Sequence, residues 1–201
     1  MSRSAPYDRE TALDAAMKLF WEKGFHATSL KDLEATLRMK PGSIYAAFTN
    51  KENLYMLALE RYFEKSRAMF RSQVVGAASP LDALADHFRA YARLAPNDKS
   101  RQACMLTKTM VDTRTTDPAI AAATRNYLSA MQNEFRAAFS SAQTAGELTD
   151  SADPNRLAHR FQANVSALRL ALHQGMGAED FTQLAEDMAL EIEGLRATAT
   201  S

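Results

Sequence analysis

The sequence predicts an all-α protein with about nine helices. Apolar residues recur every three or four positions along most of the 201 residues, which is the period of amphipathic helices. No segment alternates apolar and polar residues in the way that a half-buried strand does. Capping residues or prolines precede the apolar stripes and glycines often follow them, so each stripe has a recognisable beginning and end.

The first fifty residues predict three short helices. The first begins near Asp8 and ends at Gly24. Ser29 is a good N-cap for the second, and Asp32 lies three residues later, where an acid completes a capping box. Pro41 cannot extend that helix but suits the first turn of a third. The apolar positions that support these helices are Leu13, Met17, Phe20, Trp21, Leu30, Leu33 and Leu37.

The third helix is predicted to expose its polar side. Ile44 and Phe48 are four residues apart and form one buried stripe, which leaves the residues between them facing outward. Between residues 35 and 51 there are three basic residues and no acid, namely Arg38, Lys40 and Lys51. A helix-turn-helix of this kind places its second helix in the major groove of DNA. The alternative from the pattern alone is that both helices belong to an ordinary helical core.

The remaining helices follow from the same start and stop signals. A long helical pattern runs from Lys51 to about Gln73, and a break follows at Gly76. The later helices are predicted from Pro80 to Pro96, from Arg101 to about Thr113, from Pro118 to Ala145, from Pro154 to Gly175, and from about Ala178 onward.

Composition excludes several classes of protein. Lys and Arg together number 24 and so do Asp and Glu, so the net charge is zero and any contact with nucleic acid is a local patch. No apolar run approaches the roughly eighteen residues of a membrane span, and the first residues lack the apolar centre of a signal peptide. Cytoplasmic location is therefore the expectation, and a single cysteine fits a reducing compartment.

Catalytic and metal motifs are not found in the sequence. The four histidines are scattered, without carboxylates or cysteines at ligand spacing, and no nucleophile elbow or paired-cysteine motif occurs. We therefore expect no metal, no cofactor and no enzymatic activity.

Three segments resemble the DNA-binding domain of the TetR family of transcriptional regulators. They are residues 12–20 (ALDAAMKLF), 23–33 (KGFHATSLKDL) and 42–54 (GSIYAAFTNKENL). The resemblance implies a three-helix DNA-binding domain at residues 1–50 and an effector-binding and dimerisation domain at residues 51–201. The residues that it places at the DNA are Thr28, Lys40, Ser43, Tyr45, Ala46, Ala47 and Lys51. Many relatives have large aromatic or histidine side chains where this chain has two alanines, which offer thymine methyl groups apolar contact but no hydrogen bond.

The resemblance also implies roles for the remaining helices. Such regulators typically dimerise through their last two long helices, and the apolar residues there are Leu157, Val165, Leu168, Leu172, Leu184, Met188 and Ile192. On the pattern alone, the same residues are a plain core. An effector cavity is expected to use the aromatic and sulfur-containing residues of the middle helices, because methionines adapt to varied apolar ligands. These are Phe88, Tyr91, Cys104, Met105, Met110, Tyr127, Met131, Phe135 and Phe161.

Cys104 admits two interpretations. Lys99, Arg101 and Lys108 flank it, and nearby cations favour the reactive thiolate. The segment around it is also similar to a subset of the family that senses electrophiles or oxidants through a cysteine. A lone cysteine is, however, more often a small buried apolar residue.

Together these features predict a homodimeric regulator that binds a near-palindromic double-stranded operator. An apolar or electrophilic small molecule, or modification of Cys104, is expected to release it, as in a repressor. The alternative is a helical small-molecule-binding or scaffold protein that has lost operator binding, which only the alanine pair favours.

Overall fold

The computed structural model describes residues 8–95, 98 and 100–197, and these residues form nine α-helices and no strand. The all-α class and the number of helices are as predicted. The predicted stop at Pro96 and the cation Lys99 lie outside the described residues. The helices are α1 (Arg9–Lys23), α2 (Leu30–Leu37), α3 (Pro41–Phe48), α4 (Lys51–Val74), α5 (Pro80–Ala92), α6 (Met105–Thr113), α7 (Pro118–Thr144), α8 (Pro154–His173) and α9 (Ala178–Glu193).

Contacts divide the chain into two units. The head unit comprises the described residues up to Lys65 together with Met105–Tyr127, and the body unit comprises Ser66–Cys104 and the residues from Leu128 onward. Helices α4 and α7 each contribute residues to both units. By these contacts the head unit is larger than the predicted domain of residues 1–50, because it also holds most of α4, all of α6 and the start of α7.

The head unit is built around the buried side of α1. Ala16 and Phe20 are almost fully buried there, and Leu33, Ile44 and Phe48 bring one apolar side of α2 and α3 to the same core. The ring of Phe20 meets that of Tyr55 edge to face, with centroids 4.8 Å apart. The Tyr55 hydroxyl lies 2.7 Å from Oγ1 of Thr109, so a residue of α4 is hydrogen-bonded to one of α6. Burial raises the pKa of Tyr55 to about 12, which keeps the phenol protonated.

The second half of the head unit is tied to the end of α1 by polar contacts. Nζ of Lys108 donates to the main-chain oxygen of Trp21 at 2.7 Å, where a cation stabilises the negative end of the helix dipole. His26, in the turn after α1, lies 2.9 Å from a carboxylate oxygen of Asp117. Residues 105–127 are therefore a structural part of the head unit.

The body unit has a core of phenylalanines centred on Phe161 of α8. Phe161 lies within 4.7 Å of Phe88 and 5.0 Å of Phe135, measured between ring centroids. Phe70 of α4 meets Phe135 edge to face at 4.9 Å, so α4, α5, α7 and α8 all supply a ring to this cluster. Edge-to-face pairs add roughly 0.5–1.5 kcal/mol each to the stabilisation by burial.

Candidate DNA-binding site

Helix α2 is fixed at its start by the predicted capping box. The Ser29 side chain accepts from the Asp32 amide at 3.1 Å, and a carboxylate oxygen of Asp32 accepts from the Ser29 amide at 2.8 Å. The same carboxylate accepts from Nζ of Lys23 at 2.6 Å, which links the end of α1 to the start of α2. The lysine, the Ser29 hydroxyl and the Ser29 amide hold the pKa of Asp32 well below its usual range.

The turn between α2 and α3 contains a residue in the left-handed region. Arg38 has φ 54° and ψ 39°, ends α2, and leaves its side chain exposed. Lys40 is the exposed N-cap residue of α3, and Pro41 begins the helix as the sequence predicts. Two basic side chains are therefore presented immediately before the first turn of α3.

Helix α3 buries Ile44 and Phe48 and presents its other side to solvent, as predicted. Ser43 and Ala46 are exposed, Tyr45 is 40% exposed, and Ala47 is half-buried. An eight-residue helix with this exposure has a surface that fits the major groove, where base edges and thymine methyl groups are accessible.

The connection from α3 to α4 is a strained turn. Thr49 has φ 68° and ψ −59°, and the Asn50 amide donates to the Phe48 carbonyl at 2.7 Å, which is a γ-turn with positive φ. The Asn50 side chain then accepts from the Asn53 amide at 2.7 Å and caps α4. The turn therefore fixes the direction in which the chain passes from α3 into α4.

Lys51 is less exposed than predicted for a phosphate contact. It is half-buried, and its Nζ lies 4.6 Å from the centre of the Phe25 ring in a cation–π contact. Burial lowers the pKa of this lysine. A contact between Lys51 and a phosphate stays a prediction.

Thr28 is the predicted DNA contact that the structure contradicts. Its side chain is fully buried, and its hydroxyl donates to the Gly24 carbonyl at 2.7 Å. The hydroxyl supplies a hydrogen-bond donor to the carbonyl of Gly24, the C-cap residue of α1. Because the side chain is fully buried, it cannot reach a phosphate. Arg9 was not predicted as a DNA contact, because the sequence showed only its positive charge. Its guanidinium lies 5.3 Å from the centre of the Phe48 ring, beside α3.

The predicted effector residues do not all belong to one unit. Phe88, Phe135 and Phe161 are buried together in the body unit, and Met131 and Tyr91 pack against their cluster. Cys104 also belongs to the body unit and is half-buried. The remaining three residues, Met105, Met110 and Tyr127, belong to the head unit. There the ring of Tyr127 stacks on that of Phe63, with centroids 4.9 Å apart.

The cations beside Cys104 in the sequence have other contacts. Arg101 donates from Nη1 to the Leu94 carbonyl at 3.1 Å, and Lys108 donates to the end of α1. Both contacts are with main-chain oxygens, and neither involves the thiol. A sensing role of Cys104 stays a prediction.

Sequence reasoning missed a set of polar residues inside the body unit. His87 is 5% exposed and Arg169 is 8% exposed, although arginine is usually found at the surface and histidine is only intermediate in burial. Nδ1 of His87 lies 2.7 Å from the side-chain oxygen of Gln73. The one sequence signal was the position of His87 within an apolar stripe.

Four of the seven predicted dimer residues are buried in the core of their own chain, as the sequence pattern alone favoured, which corrects their assignment; the other three are half-buried, and their role in a dimer stays a prediction. Leu157, Leu168, Leu172 and Ile192 are at most 8% exposed, and Val165, Leu184 and Met188 pack against the same core. A partner subunit cannot reach the four buried side chains. The outer surface of α8 and α9 instead exposes Leu170 and Leu190, which are 47% and 52% exposed.

Metal-binding clusters and membrane-spanning helices are both absent from the described part of the chain. In the part of the chain that the structure describes, no three His, Cys, Asp or Glu side chains cluster to hold a metal ion. Among these same residues, none of the helices has both the length and the apolar character that spanning a membrane requires.

Comparison with known proteins identifies the family. The family model for bacterial regulatory proteins of the tetR family matches residues 12–56, and the model for a tetracyclin repressor-like C-terminal domain matches residues 77–190. The chain belongs to the TetR family. It is therefore a DNA-binding transcriptional regulator with a helix-turn-helix head. This confirms the predicted all-α fold and the prediction of a DNA-binding regulator rather than an enzyme, while release by an effector or through Cys104 stays a prediction.

Individual relatives agree with this assignment. The HTH-type transcriptional repressor ComR of Escherichia coli K12 is 32% identical over 188 residues, which cover 92% of this chain and 89% of ComR. A TetR-family regulator from Cytophaga hutchinsonii has the same fold, with a TM-score of 0.84 at 19% identity over 98% of this chain and all of the other. A cysteine mutant of the TetR-family regulator CifR, solved with a 26-base-pair operator, also has a TM-score of 0.84, at 23% identity over 94% of this chain and 98% of CifR.

Proposed function

We propose that this TetR-family chain is a homodimeric repressor that leaves a near-palindromic operator when a small molecule binds its body unit. The observation that carries the proposal is the exposed side of α3 with basic residues beside it. Arg38 and Lys40 precede the helix, Arg9 lies beside it, and Ser43 and Tyr45 face outward. The named relative ComR is a repressor, which supports repression as the direction of control. Cytoplasmic location follows from such a role.

Two classes of contact are expected at the operator. Arg38, Lys40 and the Tyr45 hydroxyl bind phosphates and set the register of the protein on the duplex. Ser43 and the methyl group of Ala46 face base edges, where they accept or donate one hydrogen bond and contact thymine. Because few side chains read bases directly, sequence-dependent shape of the DNA contributes to selectivity.

The dimer is proposed to form through the exposed side of α8 and α9. Ala163, Ala167 and Leu170 follow one another at spacings of four and three on α8 and are all exposed, and Leu190 is exposed on α9. This is the spacing of a helix–helix packing seam. Two copies packed in this way form a four-helix contact and present two recognition helices to successive turns of the duplex.

The test of operator binding is fluorescence anisotropy with the DNA upstream of the gene. We expect Lys40→Ala and Tyr45→Ala to weaken binding. For Lys40→Ala, the slope of log affinity against log salt concentration should also become shallower by about one, which corresponds to one lost phosphate contact. Arg136→Ala removes an equal, exposed charge from α7 and serves as the control, which binds like the wild type. An affinity that does not change with salt, or equal losses in all three variants, contradicts the proposal.

A further inference from the structure

The first residue of α4, Lys51, lies against an aromatic ring. Its Nζ is 4.6 Å from the centre of the Phe25 ring, within the range of a cation–π contact. Burial lowers the pKa of Lys51, whereas the carboxylates of Asp117 and Asp32 favour its charged form. The ammonium is therefore attracted by one ring and two acids, all of which belong to the head unit.

The Phe25 ring is itself fixed in position. It lies 4.9 Å from the Tyr55 ring and 5.1 Å from the His26 ring, measured between centroids. Tyr55 is 2% exposed and is hydrogen-bonded to Thr109. Because Lys51 and Tyr55 are four residues apart on α4, they lie on the same side of that helix. Phe25 therefore packs against the first turn of α4.

The residue next to Phe25 is anchored by the turn between α6 and α7. Nε2 of His26 lies 2.9 Å from a carboxylate oxygen of Asp117 and 3.2 Å from Oγ1 of Thr116. The Thr116 hydroxyl donates to the same carboxylate oxygen at 2.7 Å. The part of the chain that carries Phe25 is therefore held from two sides, by α4 and by the turn between α6 and α7.

We propose that Phe25 is a positioning residue, which holds the ammonium of Lys51 ready to bind a phosphate of the operator. A lysine side chain is flexible, and its conformations must be restricted when it binds. The ring covers one side of an ammonium that has three N–H donors, so donors remain for a phosphate oxygen. Lys51 also lies three residues after α3 and at the start of α4, where the helix dipole favours an anion.

This inference rests on the proposed operator binding, because it adds Lys51 to the phosphate contacts of Arg38, Lys40 and Tyr45. A side chain that is restricted before binding loses less conformational entropy in the complex, so the same contact contributes more affinity. The half-buried position of Lys51 is thus explained as preorganisation for DNA rather than as withdrawal from it.

Ring fluorination separates the attraction between ring and cation from packing. 3,4,5-Trifluorophenylalanine at position 25, introduced by nonsense suppression, keeps the shape of the ring but weakens its negative face. Fluorescence anisotropy with the upstream DNA should show an affinity lower by about two- to fivefold, with thermal unfolding nearly unchanged. Phe25→Tyr keeps the aromatic face and should bind as the wild type does. The same fluorinated residue in place of Phe20, a buried ring of the head unit, is the matched control and should leave the affinity unchanged.

Lys51→Met supplies the second part of the test, because it removes the charge and keeps a long side chain beside the ring. We expect the affinity near physiological salt to fall by about three- to tenfold, and the slope of log affinity against log salt concentration to become shallower by about one. In the Lys51→Met protein, fluorination of position 25 should have no further effect, because the ring acts through the lysine. Arg136→Ala again controls for the loss of one exposed charge.

Several outcomes contradict the inference. Phe25 does not position the lysine if fluorination leaves the affinity unchanged, if it weakens binding equally in the Lys51→Met protein, or if Phe25→Tyr binds as weakly as the fluorinated protein. Lys51 does not bind a phosphate if Lys51→Met keeps the wild-type affinity and salt slope. In each case the operator proposal stands as long as Lys40→Ala weakens binding, so the two can fail separately. If Lys51→Met does not fold, the fluorinated ring at position 25 and its control at Phe20 still decide the role of Phe25.

Discussion

At the scale of single residues, Thr49 is the clearest site of backbone strain. A β-branched residue with φ near 68° occupies a region that L-residues rarely adopt, at a cost on the order of 1–3 kcal/mol. The Asn50 amide donates to the Phe48 carbonyl at 2.7 Å across Thr49, so the tight turn between α3 and α4 holds this conformation. The recognition helix is thus followed by a turn of one defined geometry.

Thr49→Gly should stabilise the protein, because glycine adopts this conformation without a steric penalty. We expect the free energy of unfolding, measured by urea denaturation, to rise by roughly 1 kcal/mol. Glycine removes the backbone strain, but it also makes the unfolded chain more flexible, which offsets part of the gain. The control is Thr182→Gly in α9, where φ is not positive and the same change should destabilise. A loss of stability at both positions would show that Thr49 is not strained.

Asp14 makes the stability of the head unit depend on pH. Its carboxylate accepts from Nε of Arg61 at 2.8 Å and from Nζ of Lys65 at 2.7 Å, which ties α1 to α4. The Arg61 hydrogen bond, aided by Lys65, lowers the pKa of Asp14 from 3.8 to about 2 against the opposing effect of burial. Because the folded-state pKa is the lower one, this stabilisation is present above pH 4 and disappears as pH falls toward 2.

Asp14→Asn should therefore lower the free energy of unfolding by roughly 1 kcal/mol at pH 7, a modest value for a partly exposed ion pair. The difference from the wild type should shrink as the pH falls from 4 to 2, because protonation then removes the same charge from the wild type. Urea unfolding at several pH values measures it. A difference that is constant over this range would mean that the pKa of Asp14 is not lowered.

At the scale of helices, Phe161 holds the body unit together. It contacts rings from α4, α5 and α7 and is 1% exposed. Phe161→Ala should lower the free energy of unfolding by about 3–5 kcal/mol, since it removes these contacts and leaves a cavity. Phe161→Met keeps most of the volume and should lose less than about 1.5 kcal/mol. Equal losses in thermal or urea unfolding would contradict a central packing role.

The helices themselves could be predicted from sequence, because their signals are local. Ser29 with Asp32, and Pro41 with the pair Ile44 and Phe48, fix α2 and α3 within a few residues. The partners of each apolar stripe could not be predicted, because they depend on residues far along the chain. For Leu168 and Leu172 the pattern alone favoured a core, and only the family resemblance assigned them to a partner subunit; they are buried in the core of their own chain.

Exposure of the site residues could be predicted only where their place in a helix determines which side of the helix they are on. Ser43 and Tyr45 are exposed, as the helical period of α3 requires. Thr28 lies between α1 and α2, and nothing in the sequence indicated that its hydroxyl donates to the Gly24 carbonyl. Arg169 was missed because a charged residue is expected at the surface unless packing encloses it.

At the scale of the whole molecule, the proposed dimer makes a direct prediction. Leu170→Glu places a charge on the exposed seam of α8, where a partner would have to bury it. We expect the variant to sediment as a monomer and to lose affinity for a full operator while keeping its helical circular dichroism spectrum. Val75→Glu changes an apolar side chain that is 76% exposed outside α8 and α9, and it should stay dimeric. A dimeric Leu170→Glu protein would place the interface elsewhere.

The head unit is discontinuous along the chain, since it unites the described residues up to Lys65 with Met105–Tyr127. A fragment that stops after α3 or within α4 lacks the Thr109 hydroxyl that meets Tyr55 and the lysine that satisfies the end of α1. A single genetic crossover between Lys65 and Met105 of two such regulators would join a head to a foreign α6. Recombination that exchanges the whole body unit and keeps the head unit intact therefore needs three junctions, at the two ends of Ser66–Cys104 and again after Tyr127.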